Sequence, residues 1–225
     1  MKPSIGTGRL VAWAVLIVLI GTLNAVGHAA EGAADRTVLY RYSTAVGGAI
    51  QYAVILGIVL VIARGLDFRA VFALRRPPSL RAAAGWVAAA LASVWVVSFA
   101  LGQVLNAGKD QGLVPDHWEP RHAGAFAANF AVVVLVAPLV EELTFRGFGV
   151  TGLAGLLGPA WAIVGVGLAF GVWHGLVIAF PALAILGAIL AALRVRTASV
   201  YPSMVAHAIF NGVALIAAVT VGGGS

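Results

Sequence analysis

Ala137-Pro138-Leu139-Val140-Glu141-Glu142-Leu143-Thr144-Phe145-Arg146 decides how the chain is read. Two adjacent acids end a long apolar run, and an arginine follows four residues after the second. An ionised carboxylate inside a hydrocarbon-bounded segment costs several kcal/mol, about 2.5–3.5 on insertion scales, so two of them need a reason. On a helix, Glu142 and Arg146 are i,i+4 neighbours and can pair. At 3.6 residues per turn Glu141 points about 100° away and is left free. A free buried carboxylate takes up a proton or binds something.

The surroundings of this stretch are membranous. Of 225 residues, 61% are hydrophobic and 10% are charged, whereas an ordinary soluble domain carries about 25% charged residues. The fold class expected is an all-α polytopic membrane protein of about seven transmembrane helices in one bundle, enclosing a polar cavity. Cysteine is absent, which removes disulfides, thiolate ligands and a cysteine nucleophile. The net charge of +6 is no sign of nucleic-acid binding. Its basic residues sit mostly in loops, where they orient the chain in the bilayer. Arginine over lysine and abundant alanine suggest a GC-rich bacterial gene, and so a bacterial inner membrane.

Outward from the acid pair, the expected spans are Leu10 to Val26, Ala45 to Ala63, Ala82 to Val104, Gly124 through the glutamates, Ala160 to Ala179, Ala182 to Leu193 and Ser199 to Val221. The basic start, apolar run and small residues near Ala29 also fit a signal peptide; retention as a first helix is the reading preferred. Arg64, Arg69, Arg75, Arg76 and Arg81 crowd one loop, which predicts a cytoplasmic loop and a cytoplasmic N-terminus. Lys109, Asp110, Asp116, Glu119 and Arg121 form a mixed-charge loop expected outside. Gly155, Gly158 and Pro159 mark a turn. Arg194 and Arg196 are read as a second basic loop. This divides one membrane domain into three N-terminal helices over 1–123, a core of about four helices over 124–221, and a flexible tail over 222–225.

Three further polar groups interrupt the core: His174, His207 and Asn211. His207 and Asn211 share a helix face at i,i+4. Thirty-three residues separate Glu141 from His174, with the turn signals midway, and the same number separate His174 from His207. Counting 1.5 Å per helical residue through the intervening turns returns all four groups to about one level. His28, His117 and His122 fall at a helix end or in a charged loop and read as solvated. Taken singly, each histidine is an ordinary interhelical hydrogen bonder.

A carboxylate and an imidazole around one water make a general base and a polariser. Histidine and asparagine donors suit an oxyanion. These are parts for amide hydrolysis. Glu141, His174 and His207 are equally candidate ligands for a divalent metal such as zinc, with an open position for water. The His-Glu-x-x-His pattern is absent.

Glu141-Glu142-x-x-x-Arg146, Phe170-x-x-x-His174 and His207-x-x-x-Asn211 resemble, in order and setting, the three motifs of the CAAX-protease and bacteriocin-processing (CPBP, or Abi) membrane endopeptidases. The resemblance covers roughly Gly124 to Val221. It implies an intramembrane endopeptidase in which Glu141 and His174 activate water and His207 and Asn211 stabilise the oxyanion, with Glu142 and Arg146 completing the first motif. The implied partner is a membrane-associated peptide or protein, prenylated or bacteriocin-like, within the lipid bilayer. Two other functions compete on sequence grounds: a proton-coupled transporter, since intramembrane acids also mark ion paths, and a non-catalytic scaffold or immunity protein. No internal repeat of the transporter kind is visible.

Overall fold

The computed structural model describes residues 5–31, 35–105, 115 and 117–221. Among them lie seven long helices, two short ones (Val38–Tyr40 and Phe68–Val71) and no strand; the long helices are α1 (Thr7–Glu31), α2 (Tyr42–Ile62), α3 (Leu80–Leu105), α4 (Pro120–Leu157), α5 (Pro159–His174), α6 (Phe180–Thr197) and α7 (Tyr201–Val221). Six are long and apolar enough to cross a membrane, and α5 is a shorter apolar helix. Large apolar side chains such as Val15, Val61, Phe99 and Leu135 point outward and are exposed, as a lipid-facing surface requires. The protein is an integral membrane protein. Lys109, Asp110, Asp116 and the 222–225 tail lie outside the described residues.

Helix ends differ from the sequence expectation where local chemistry intervenes. The fifth helix stops at His174, because Gly175 adopts φ +66°, a left-handed cap. At 1.5 Å per residue its 16 residues fall short of a hydrocarbon core of about 30 Å. The irregular backbone that follows is held by protein, as irregular backbone at membrane depth must be. Asn24 of α1 supplies part of that support, its amide donating to the Trp173 carbonyl at 2.7 Å. The sixth helix runs on to Thr197, so Arg194 and Arg196 sit in its last turn instead of in a loop. Cations are favourable at a helix C-terminus, which is why the basic pair extends the helix.

Arginines gather at one end of the bundle. Arg9 donates to the Arg64 carbonyl at 2.9 Å, and Arg75 donates to the Ala198 carbonyl at 2.6 Å. The other end carries mixed charge, with Asp35 paired to Arg41 at 2.6 Å. There Asn129, buried in α4, donates to the carbonyls of Leu39, Arg41 and Ala125 and ties the α1–α2 connection down.

The α5–α6 crossing is close enough that two positions tolerate only glycine. A Cβ on Gly167 would stand 2.7 Å from the Ala184 carbonyl oxygen and 2.9 Å from the Ala188 Cβ. A Cβ on Gly187 would meet the Phe170 Cβ at 2.8 Å. Both obstacles are backbone or Cβ atoms, which cannot swing aside. Without a hydrophobic driving force between helices in lipid, such close packing is the main attraction. Gly167→Ala is expected to lower the unfolding midpoint of the purified protein in detergent, by roughly 1–3 kcal/mol of stability; an unchanged midpoint would show that the crossing has slack.

Candidate active site

The acid pair sits in a helix that is locally widened on both sides. Residues Val132–Val136 and Leu143–Gly149 are π-helical, flanking the α-helical Ala137–Glu142. Pro138 gives a cause for the first. A proline inside a helix lacks the N–H and crowds the carbonyl one turn back. Widening the turn relieves that crowding, and the Ala137 N–H accordingly bonds to the Val132 carbonyl, five residues back. In this register the next donor, for the Val133 carbonyl, would be residue 138, which has none. Asn211 of α7 fills the gap: its Nδ2 donates to Val133 O at 2.9 Å. Single π turns inside α-helices recur at functional sites.

Glu142 and Arg146 pair at 2.9 Å, and both side chains are wholly buried. Arg146 also donates to the Gly187 carbonyl at 3.2 Å, and its guanidinium lies 4.5 Å from the centroid of the Phe170 ring. The same Glu142 oxygen, Oε1, accepts from His207 Nδ1 at 2.9 Å. Arginine, acid and imidazole thus form one buried chain linking α4, α6 and α7. The second oxygen, Glu142 Oε2, and Arg146 Nε have no hydrogen-bond partner among the described residues.

Glu141 is turned away from the arginine. Its Oε1 accepts from the Tyr52 hydroxyl of α2 at 2.6 Å, and its Oε2 stands 3.8 Å from His207 Nε2. His207 lies between the two acids, one ring nitrogen toward each. With Nδ1–H committed to Glu142, Nε2 carries a lone pair in the neutral ring or a second N–H in the imidazolium.

His174 ends α5, where Nδ1 donates to the Phe170 carbonyl at 2.8 Å and leaves Nε2 as the acceptor in the neutral ring. Its ring packs against Phe170 at 4.6 Å between centroids, and the His207 ring packs against the same phenyl at 5.8 Å. The two imidazoles are therefore no farther apart than those two distances together. Glu141 and His207 are buried, whereas His174 and Asn211 are half-buried.

Glu141, Glu142, Arg146 and His207 are therefore joined directly, and His174 joins them through Phe170. Asn211 shares the His207 face but is bonded to Val133. Among the described residues no three His, Cys, Asp or Glu side chains are grouped to hold a metal ion. Tyr52 was not foreseen from the sequence: a tyrosine in an apolar span reads as an ordinary amphipathic residue, and nothing in α2 marks which way it faces.

An apolar groove of about 620 Å³ runs beside the His174 turn, between α1 and the start of α6. Val18, Ala25, Gly171, Gly175 and Phe180 line it.

Residues 123–213 match a family model, Rce1-like, described as type II CAAX prenyl endopeptidase Rce1-like. This stretch is CAAX-protease-like. It contains all six of Glu141, Glu142, Arg146, His174, His207 and Asn211, and begins at Ala123, just inside α4. Helices α1 to α3 lie outside the match, although Tyr52 of α2 donates to Glu141 within the matched stretch. No curated protein and no solved structure matches the chain.

Asn211→Ala is expected to leave the Val133 carbonyl without a donor and to cost roughly 1–3 kcal/mol of stability. Thermal unfolding in detergent measures it. A variant as stable as the parent would mean that water replaces the amide.

Proposed function

We propose that the protein is an intramembrane endopeptidase in which Glu141 activates water against a peptide bond. The observation that carries this reading is the orientation of Glu141: one carboxylate oxygen is fixed by Tyr52, and the other faces His207 in a buried, polar layer. Fixing Oε1 leaves Oε2 to take a proton from water. The hydroxide formed attacks the scissile carbonyl carbon, and the carbonyl electrons move onto its oxygen. When the tetrahedral intermediate collapses, the proton held by Glu141 passes to the leaving nitrogen and the C–N bond breaks.

His174 Nε2 accepts a hydrogen bond from the O–H that stays on the attacking water and so orients it. His207 and the second N–H of Asn211 are the groups proposed to stabilise the developing oxyanion. Arg146 and Glu142 hold His207 in place. This sequence of steps needs only the chain's own residues. The substrate is a membrane-associated peptide or protein, and its lipid chain, prenyl in the CAAX case, occupies the apolar groove beside His174.

Incubation of the purified protein with matched prenylated and unprenylated peptides tests the reading. Cleavage of the prenylated set, abolished by Glu141→Ala, is expected. No cleavage of either set by a folded protein would favour the scaffold reading instead. Tyr52→Phe keeps the ring and removes only the hydrogen bond to Glu141. It is expected to lower kcat by roughly tenfold to a hundredfold, on the scale of other single positioning contacts, with KM little changed; equal turnover would remove Tyr52 from the site.

The N-terminus and the arginine-rich end are assigned to the cytoplasm, following the positive-inside rule. The bacterial inner membrane is the compartment proposed. Because the chain has no cysteine, single cysteines at 76 and 121 can be labelled from one side without background. Position 121 is expected to react from outside the cell and position 76 only after lysis; the reverse pattern would invert the topology.

A further inference from the structure

At the arginine-rich end one cation is buried with no counter-ion among the described residues. Arg194 is only 7% exposed, yet its Nε has no hydrogen-bond partner. Among the described residues the charged group acting on it is another arginine, Arg75. A buried guanidinium facing a like charge is unfavourable unless an anion completes it. The acid nearest in sequence, Asp67, is already engaged: its Oδ1 accepts from the backbone N–H groups of Arg69 and Ala70 and caps the short helix Phe68–Val71.

Backbone geometry ties the segment carrying Arg75 to the end of α6, whose last turn carries Arg194. Arg75 Nε donates to the Ala198 carbonyl at 2.6 Å, and the Val200 N–H donates to the Ala73 carbonyl at 3.2 Å. Ala73 and Ala198 both adopt φ +51°. A non-glycine residue pays for that conformation, and such strain persists only where the surroundings enforce it. Arg75 itself is exposed and spends one N–H on Ala198, so the rest of its fork is available.

We propose that Arg194 and Arg75 form a binding site for a phosphate group. Planar guanidinium forks match phosphate oxygens in pairs, which makes arginine the residue suited to this ligand. The phosphate can be carried by an anionic phospholipid headgroup or arrive as free phosphate. The depth favours the headgroup. Trp86 and Tyr201 flank this end with 43% exposure each, Leu80 is 70% exposed, and Arg196 stacks on Trp86 at 5.2 Å. Half-exposed aromatic residues of this kind mark the level of lipid headgroups.

The test uses the full chain, stripped of lipid in a neutral detergent. Native mass spectrometry follows binding of short-chain phosphatidylglycerol and of zwitterionic phosphatidylcholine. A clear preference for phosphatidylglycerol is expected, with Arg194→Gln and Arg75→Gln each weakening it by about tenfold or more, as loss of a charge-assisted contact does. Arg69→Gln removes the same charge from the same end and is expected to change it less than about twofold, being a screened surface charge. Equal binding of the two lipids, retention by Arg75→Gln, or an equal loss in Arg69→Gln would overturn the site. Arg75 is exposed, so its variant decides the question even if Arg194→Gln does not fold. Inorganic phosphate is added in parallel. If it stabilises the parent but not Arg75→Gln against heat, the site takes free phosphate; if it does nothing while phosphatidylglycerol binds, the site takes the headgroup.

Discussion

The buried Glu142–Arg146 pair is the constraint from which the rest of the structure follows. Two opposite charges wholly removed from solvent are stable only when each finds further partners, because desolvation can exceed their mutual attraction. Arg146 finds the Gly187 carbonyl and the Phe170 face; Glu142 finds His207. Each partner belongs to a different helix, so satisfying one ion pair fixes the rotation of α5, α6 and α7 about α4. The glycine contact between α5 and α6 is then a requirement, since Gly187 must come close enough to offer its carbonyl.

This division of labour explains why two adjacent acids are useful. Neighbouring residues on a helix point in different directions, so one acid can be committed to structure while the other stays beside it in the same layer. Glu142 positions His207 through Nδ1, and His207 in turn presents Nε2 toward Glu141. Glu141 is left with one oxygen held by Tyr52. The widened turns around the pair serve the same end. Pro138 breaks the regular ladder, and the carbonyl it orphans is taken up by Asn211, so a defect in one helix becomes a contact with another.

Much of this was legible in the sequence because it is local. Seven apolar segments, the Glu142–Arg146 spacing and the shared face of His207 and Asn211 depend only on hydropathy and helical period. What the sequence did not disclose depends on how helices rotate against one another. Tyr52 lies on a helix that is apolar all round, so no periodicity says which side faces the acids. The role of Asn211 toward Val133 required knowing that the turn before Pro138 is widened. Arg194 and Arg196 read as a loop because charge at a span's end resembles charge beyond it; the helix dipole tolerates them inside the last turn. The length of α5 was overestimated because Gly175 ends it inside an otherwise continuous apolar run.

The central claim is that adjacent acids have separate duties, structure for Glu142 and chemistry for Glu141. Comparing Glu141→Gln with Glu142→Gln, each measured for thermal unfolding and for peptide cleavage, tests it most directly. Glu141→Gln is predicted to unfold close to the parent and to have no turnover. Glu142→Gln is predicted to lose roughly 3–5 kcal/mol of stability, because it strands Arg146 as a buried unpaired charge. The opposite pattern, with Glu141→Gln unstable and Glu142→Gln folded but inactive, would contradict the account.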